Sequence, residues 1–299
     1  MPSPDSRPLA GIALRLVAVL ALAVMFAAAK LAEAKGANLG EIVFWRQAIA
    51  APLVLGWVLA TGGVGTLRTA RPVAHVRRMA IGLTGMIFNF WAVLLLPLAE
   101  ATTFGFTVPI FATILSAVVL KETTGAHRWG AVIAGFIGVV IVLQPGGNHV
   151  PLAGAAVALT GAILTATVTI LIRDLGRTER APTIVFWFTV TSLVPLGIAF
   201  PFFAQGHDAA TWGLLIAMGV AGGIGQLALT GALRLAPVAV VLPMDYTSLI
   251  WAAAFGWLLF GALPAPLTWL GAPIIVASGL YIVWREHRLR RAETPVAVD

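Results

Sequence analysis

The sequence predicts an all-α integral membrane protein of ten transmembrane helices, arranged as two five-helix repeats of inverted topology. Three observations predict it. Of the 299 residues, 60% are hydrophobic and 10% charged, with a mean hydropathy of +0.96, where a soluble domain carries about 25% charged residues. Ten apolar runs can be marked, each near the ~20 residues needed to cross ~30 Å of hydrocarbon. Finally, Ile42-Val43-Phe44-Trp45 returns as Ile184-Val185-Phe186-Trp187, 142 positions on, and Trp129 is answered by Trp269, 140 positions on. Five spans per half is an odd number, so the second half starts on the opposite side of the membrane from the first.

In chain order, the first run is Leu9 to Ala29. It is too long for the h-region of a signal peptide and is interrupted by Arg15, so it reads as a span. Span two covers about Leu39 to Ala60 and span three about Arg77 to Leu96. Pro97 and Glu100 mark a short turn into span four, which runs to Leu120, and span five follows from Trp129 to Leu143. The turn-rich Gln144-Pro145-Gly146-Gly147-Asn148-His149 separates a first repeat (1–145) from a second (146–299). The later spans fall near Leu152–Ile172, Ile184–Phe203, Trp212–Leu233, Pro237–Phe260 and Pro266–Trp284, and Arg285 to Asp299 reads as a basic tail, disordered beyond its first turn. The loops, of roughly 5–15 residues, are too short to hold a soluble catalytic or binding domain.

The net charge is +7 and the pI about 11.0. The basic residues lie between the apolar runs and form no patch or arm of the kind that binds nucleic acid. The positive-inside rule accounts for them: with a cytoplasmic N-terminus, all but Lys30, Lys35 and Arg46 of the 19 fall on the cytoplasmic side, Arg15 and Arg78 included. Both termini are expected in the cytoplasm and the protein in the inner membrane. The sequence has no cysteine, which excludes disulfides, thiolate catalysis and cysteine-ligated metals.

Leu235-Ala236-Pro237-Val238-Ala239, then Pro243-Met244-Asp245-Tyr246-Thr247-Ser248-Leu249-Ile250-Trp251 and Gly256-Trp257-Leu258-Leu259-Phe260-Gly261, resemble the drug/metabolite transporter superfamily, in its EamA-type ten-span branch. Leu96-Pro97-Leu98-Ala99-Glu100-Ala101-Thr102 leading to Pro109-Ile110-Phe111 and ending in Lys121-Glu122 is similar to the same family's fourth span. The likeness covers nearly the whole chain. Two departures stand out: Leu249 where relatives often place a proline, and Ala262 where the first half has Glu122. The resemblance implies transport of small metabolites, commonly export, with amino acids and drug-like compounds as usual cargo; bacterial aromatic amino-acid exporters are nearest in character. It implies a small-molecule substrate in a lipid bilayer and no cofactor, and leaves the oligomeric state open.

Polar residues inside a membrane are costly unless they meet partners or water, which makes them candidates. In span three, Asn89 shares a face with Gly82, Gly85 and Met86 and offers donor and acceptor to a zwitterion; an interhelical hydrogen bond explains it equally. In span four, Thr103, Phe106, Thr107, Ile110 and Thr113 form a stripe beside Pro109, which frees a backbone carbonyl in mid-membrane. Each threonine can also bond back to its own helix. Among the packing glycines of span eight, Gln226 is a candidate for a shared site with Asn89. Span nine carries Asp245 beside Pro243 and Tyr246. Asp245 reads as a proton or cation site, as a partner of Arg46 or Arg234, or as an interfacial acid. Arg46, about 10 Å inside by helical rise, either meets an anion or snorkels to the interface. Trp45 and Trp187 read as interfacial anchors. Asn89, Thr103, Phe106, Thr107, Gln226 and Tyr246 are thus the expected substrate contacts, with Asp245, Pro109 and Pro243 the coupling or gating candidates.

The leading expectation is an amino-acid exporter working by alternating access; the alternative is a proton-coupled exporter of cationic compounds built on Asp245. A carrier of phosphorylated cargo would need several buried Lys or Arg, and with only Lys30 and Arg46 as near candidates that reading ranks lower. The five histidines are scattered over loops and span ends with no catalytic or metal-ligand spacing, which argues against an enzyme.

Overall fold

The computed structural model describes residues 7–119, 121, 125–143, 150–236 and 238–292. Glu122, the Gln144–His149 linker with the boundary between the halves, Pro237 and the chain after Ala292 lie outside the described residues. The described chain is helical: α1 (Pro8–Ala34), α2 (Leu39–Gly62), α3 (Pro72–Leu95), α4 (Leu98–Gly105), α5 (Val108–Val118), α6 (Ala126–Leu143), α7 (Leu152–Leu175), α8 (Ala181–Ala199), α9 (Ala209–Leu235), α10 (Val238–Val241), α11 (Ser248–Phe260) and α12 (Thr268–Ala292). Among the described residues nine stretches are long and apolar enough to cross a membrane, with α4 and α5 making one of them. The tenth crossing is the broken segment of α10, a 3₁₀ turn over Leu242–Thr247, and α11. The disorder expected beyond the first turn of the tail is corrected as far as Ala292, where α12 ends, through arginines and leucine that favour helix.

Local chemistry sets the helix ends. Prolines open α1, α3, α5 and α8, where a missing N–H costs nothing. Asn38 and Glu41 form a capping box on α2, and the Asp208 carboxylate caps α9 through the Thr211 N–H. Gly261, at φ 63°, closes α11 in the left-handed conformation, with its N–H on the Trp257 carbonyl. The C-terminal carbonyls of α3 are capped from another helix: Lys30 Nζ donates to Val93, Leu94 and Leu96 at 2.8, 3.2 and 2.8 Å.

The halves interlock through glycines that let backbones approach closely. Along α1 and α9, Gly11 meets Ala236, Gly225 meets Leu22 and Gly222 meets Met25. One number rises as the other falls, so the pair is antiparallel. The same register joins α3 to α7 (Gly85 on Leu164, Gly154 on Leu96) and α6 to α12 (Gly138 on Ile275, Gly271 on Val142). By contrast α2 runs parallel to α9, with Gly219 on Ile49 and Gly223 on Leu53. These directions are those of two inverted five-helix repeats, α1–α6 and α7–α12. The face from which α1 starts is called here the terminal face, the other the distal face.

Each face is bridged across the repeats. On the distal face Glu41, 1% exposed, accepts from the Gln205 N–H at 2.8 Å and lies 3.0 Å from His207 Nε2. Nearby, Glu100 accepts from the Ala265 N–H at 2.9 Å and the Thr268 hydroxyl at 3.1 Å. On the terminal face Arg71 pairs with Asp174 at 2.6 Å, Thr69 donates to Glu179 at 2.6 Å, and Trp187 Nε1 donates to the Leu67 carbonyl at 3.0 Å. Trp45 packs among Phe44, Phe200 and Trp212, and Trp187 lies against His75.

Candidate functional site

The fourth span of each repeat is broken, and the breaks meet. Between α4 and α5 the chain tightens: the Phe106 N–H donates to the Thr103 carbonyl and the Thr107 N–H to that of Phe104. Pro109 cannot donate back toward Gly105. The threonines of the stripe bond to their own helix, Thr103 to Ala99, Thr107 to Phe104 and Thr113 to Pro109, at 2.7, 2.6 and 2.9 Å. Across the bundle, Tyr246 in the 3₁₀ turn brings its ring to 5.0 Å from that of Phe106. Gly279 of α12 leaves room for both: a Cβ there would lie 3.0 Å from the Tyr246 hydroxyl and 3.6 Å from Pro109 Cγ. Pro243, in the same turn, is exposed.

Asp245 pairs with neither Arg46 nor Arg234. Arg15 of α1 grips it in bidentate fashion, Nε to Oδ1 at 2.6 Å and Nη2 to Oδ2 at 2.5 Å. Arg234 stacks on Trp57 instead, 4.9 Å from the ring centroid. Asn89 Nδ2 donates to the Thr165 hydroxyl at 3.0 Å, joining α3 to α7. Gln226 is half-buried, one turn from Gly222 on the same face of α9.

A second polar group lies deep between α2, α3, α8 and α9. Arg46 Nη1 donates to Gln47 Oε1, and Gln47 Nε2 donates to the Ser192 hydroxyl of α8. Ser192 in turn donates to the Thr189 carbonyl at 3.0 Å. Arg78 of α3 lays its guanidinium 3.7 Å from the Phe188 ring centroid, and Phe188 stands one turn before Ser192 on the same face of α8, so both arginines are held against that turn. Both arginines are buried, at 7% and 8% exposure. By helical rise Arg46 enters about 10 Å from the distal face and Arg78 about 9 Å from the terminal face, and their side chains reach inward. Arg46 Nε is 3.4 Å from where a Gly222 Cβ would stand; Arg78 Nη1 and Phe188 are each 3.1 Å from the corresponding point on Gly82. Sequence reading placed Arg78 at a cytoplasmic span end and left Arg46 between an anion and the interface, and it passed over Gln47 and Ser192. One signal was present: Arg46 and Phe188 stand 142 positions apart directly after the repeated tetrapeptide, and Gly82 and Gly222 stand 140 apart.

Inverted repeats with a broken span in each half, and polar side chains buried where the halves meet, are the architecture of membrane transporters built from structural repeats. The chain belongs to the EamA-like transporter family, whose model matches residues 9–144 and 152–284. It is a multi-pass membrane protein that carries a small molecule and is not an enzyme. It is 30% identical to the riboflavin transporter of Vibrio cholerae over 293 residues, 97% of this chain and 98% of that one. The pseudopaline exporter CntI of Pseudomonas aeruginosa is 29% identical over 269 residues, 90% of this chain and 94% of that one. A solved crystal structure covering 94% of this chain and 100% of its own superposes with a TM-score of 0.63 at 18% identity, a likeness of fold.

Proposed function

We propose that this protein is an inner-membrane carrier, both termini cytoplasmic, that exports a small amphipathic metabolite by alternating access. The observation that carries this is the buried Arg46-Gln47-Ser192-Arg78 cluster between the repeats, set against the Phe188 ring. Hydrogen-bonding groups at that depth are costly unless cargo or water uses them, and an aromatic wall beside them suits a molecule with one polar and one flat apolar end. Amino acids, aromatic ones among them, have that shape; a flavin, suggested by the name of the Vibrio relative, also has a flat ring system and a polar tail. Phe106 and Tyr246 serve as the apolar wall at the helix breaks, with Pro109 and Pro243 as the points where the backbone bends. Asn89 and Gln226, both half-buried, remain candidates for cargo contact; Thr103 and Thr107, 0% and 1% exposed with their hydroxyls bonded to their own helix, draw less support. Exchange of cationic compounds on Asp245 draws less support, because Arg15 already occupies that carboxylate.

The test is counterflow in proteoliposomes with labelled phenylalanine, riboflavin, a cationic dye and a nucleotide sugar, with and without a pH gradient. Saturable exchange of phenylalanine or riboflavin is expected. Movement of the dye alone, and only with a gradient, would overturn the proposal. The absence of native cysteine allows single cysteines to report topology and access on each face.

A further inference from the structure

Among the described residues, Arg15, Lys30, Arg46 and Arg78 are cations held within the bundle, and their surroundings differ. Arg15 has the Asp245 carboxylate. Lys30 has three helix-terminal carbonyls. Arg46 and Arg78 have no carboxylate among the described residues, and of all their N–H donors only one, on Arg46, reaches an acceptor there. Arg46 Nε, Arg78 Nε and Arg78 Nη1 are buried with no hydrogen-bond partner.

A structural role accounts poorly for this arrangement. Desolvating one guanidinium without a counter-charge is expensive, and placing two within reach of each other adds repulsion. The Phe188 face offsets part of the cost for Arg78, and the Gln47 carbonyl part of it for Arg46. The glycines opposite add a second observation. Gly82 and Gly222 are equivalent positions of the two repeats, and each holds open the space beside one guanidinium. The missing element is a negative charge.

Resting on the carrier reading above, we infer that Arg46 and Arg78 together form the subsite for an anionic group of the cargo, a carboxylate or a phosphate. Gln47 and Ser192 fix the Arg46 fork, and Phe188 orients that of Arg78. Planar guanidinium forks match either anion through paired N–H donors. The cargo therefore carries at least one carboxylate or phosphate group into the membrane, whatever its net charge.

The experiment uses the full-length protein in nanodiscs and two pairs of probes, each differing by one anionic group: riboflavin against riboflavin 5′-phosphate, and phenethylamine against phenylalanine. Binding is read by thermal shift and titration for the wild type, Arg46→Gln and Arg78→Gln. The anionic member of at least one pair is expected to bind more tightly, by roughly tenfold or more, and each substitution to abolish that preference. The responding pair tells phosphate from carboxylate. A structural role predicts the opposite sign in the ligand-free protein: removing an unpaired buried charge raises the melting temperature, whereas removing a charge that holds the bundle together lowers it. Loss of stability in both variants, equal binding of both members of each pair, or no response to either anionic probe or to inorganic phosphate overturns the inference. Counterflow separates it from the carrier reading. Transport unchanged in the two variants sinks the anion subsite and leaves the carrier standing; anion binding without counterflow of any probe in the wild type does the reverse.

Discussion

Asp245→Asn is the substitution whose outcome the structure fixes most closely. It strips the charge from a carboxylate that receives two hydrogen bonds from Arg15, at 2.6 and 2.5 Å. The Arg15 side chain is 6% exposed and that of Asp245 35%. Breaking a fully buried pair costs about 3–5 kcal/mol because the surviving charge is left without a counter-ion. Here one partner is part-solvated, which weakens the charge term, and asparagine keeps one acceptor in place. The expected loss is about 2 kcal/mol, roughly 3 °C in melting temperature for a chain of this size at ~2.1 cal/mol/K of unfolding entropy per residue. Arg15→Gln leaves the more solvated partner behind and costs about half as much. The double variant, an amide against an amide, recovers much of the loss, with a coupling energy of about 1–2 kcal/mol. Intrinsic fluorescence of the ten tryptophans follows the melts in detergent. Additive effects of the two substitutions would refute the pairing. An unchanged melting temperature with abolished transport would instead make Asp245 a coupling group.

Replacing Lys30 by methionine leaves the carbonyls of Val93, Leu94 and Leu96 without their donor; a loss of roughly 1–3 kcal/mol and faster amide exchange at the end of α3 are expected, partly rescued by arginine. Gly138→Val drives a Cβ to 2.8 Å from Ile275 Cγ1 and 3.0 Å from the Gly271 carbonyl, so α6 and α12 must separate at about 1–3 kcal/mol, read as a lower melting temperature. Asp208, outside the spans, has its pKa lowered from 3.8 by the hydrogen bonds from Thr211, side chain first and backbone second, with Lys35 and His207 adding to the effect. A depressed carboxylate stabilises the fold above its unfolded pKa and loses that contribution as pH falls through the folded value. Asp208→Asn should therefore fray the start of α9 slightly at neutral pH, with the difference from wild type closing below pH 3.8 in hydrogen exchange.

Much of the architecture was legible because hydropathy and repetition are local, averaged properties. The Ile42 and Ile184 tetrapeptides and the odd span count dictated inverted repeats; Pro109 and Pro243, read as coupling or gating candidates, fall at the breaks of spans that the sequence showed as continuous. Side-chain partners are different, since they depend on the angle at which distant helices cross. Nothing near Asp245 in the chain points to Arg15, 230 residues away. Arg78 follows a basic loop and reads as cytoplasmic, yet the chain enters α3 at Pro72, so Arg78 is already a turn and a half inside. Lys30 reads as a candidate for cargo because a helix end lacking donors is invisible in the sequence of α1. The continuation of α12 past Arg285 was missed for a related reason: charge marks departure from the membrane, not the end of a helix.

The bridges on the two faces are built of unequal material. Were the repeats identical in sequence, the state open to one side and the state open to the other would be degenerate by symmetry, and an empty carrier would divide its time equally. Glu41, sealed at 1% exposure, breaks that degeneracy against the Arg71–Asp174 pair, whose side chains are 34% and 45% exposed. A solvated pair contributes about 0–1 kcal/mol and is screened by salt, while parting the buried carboxylate from its donors strands a charge. On the alternating-access reading proposed above, the empty protein is expected to open more readily at the terminal face, each 1.4 kcal/mol of difference shifting the populations about tenfold. Raising ionic strength deepens that bias, which a single cysteine beside Arg71 would register as faster labelling than one beside Glu41.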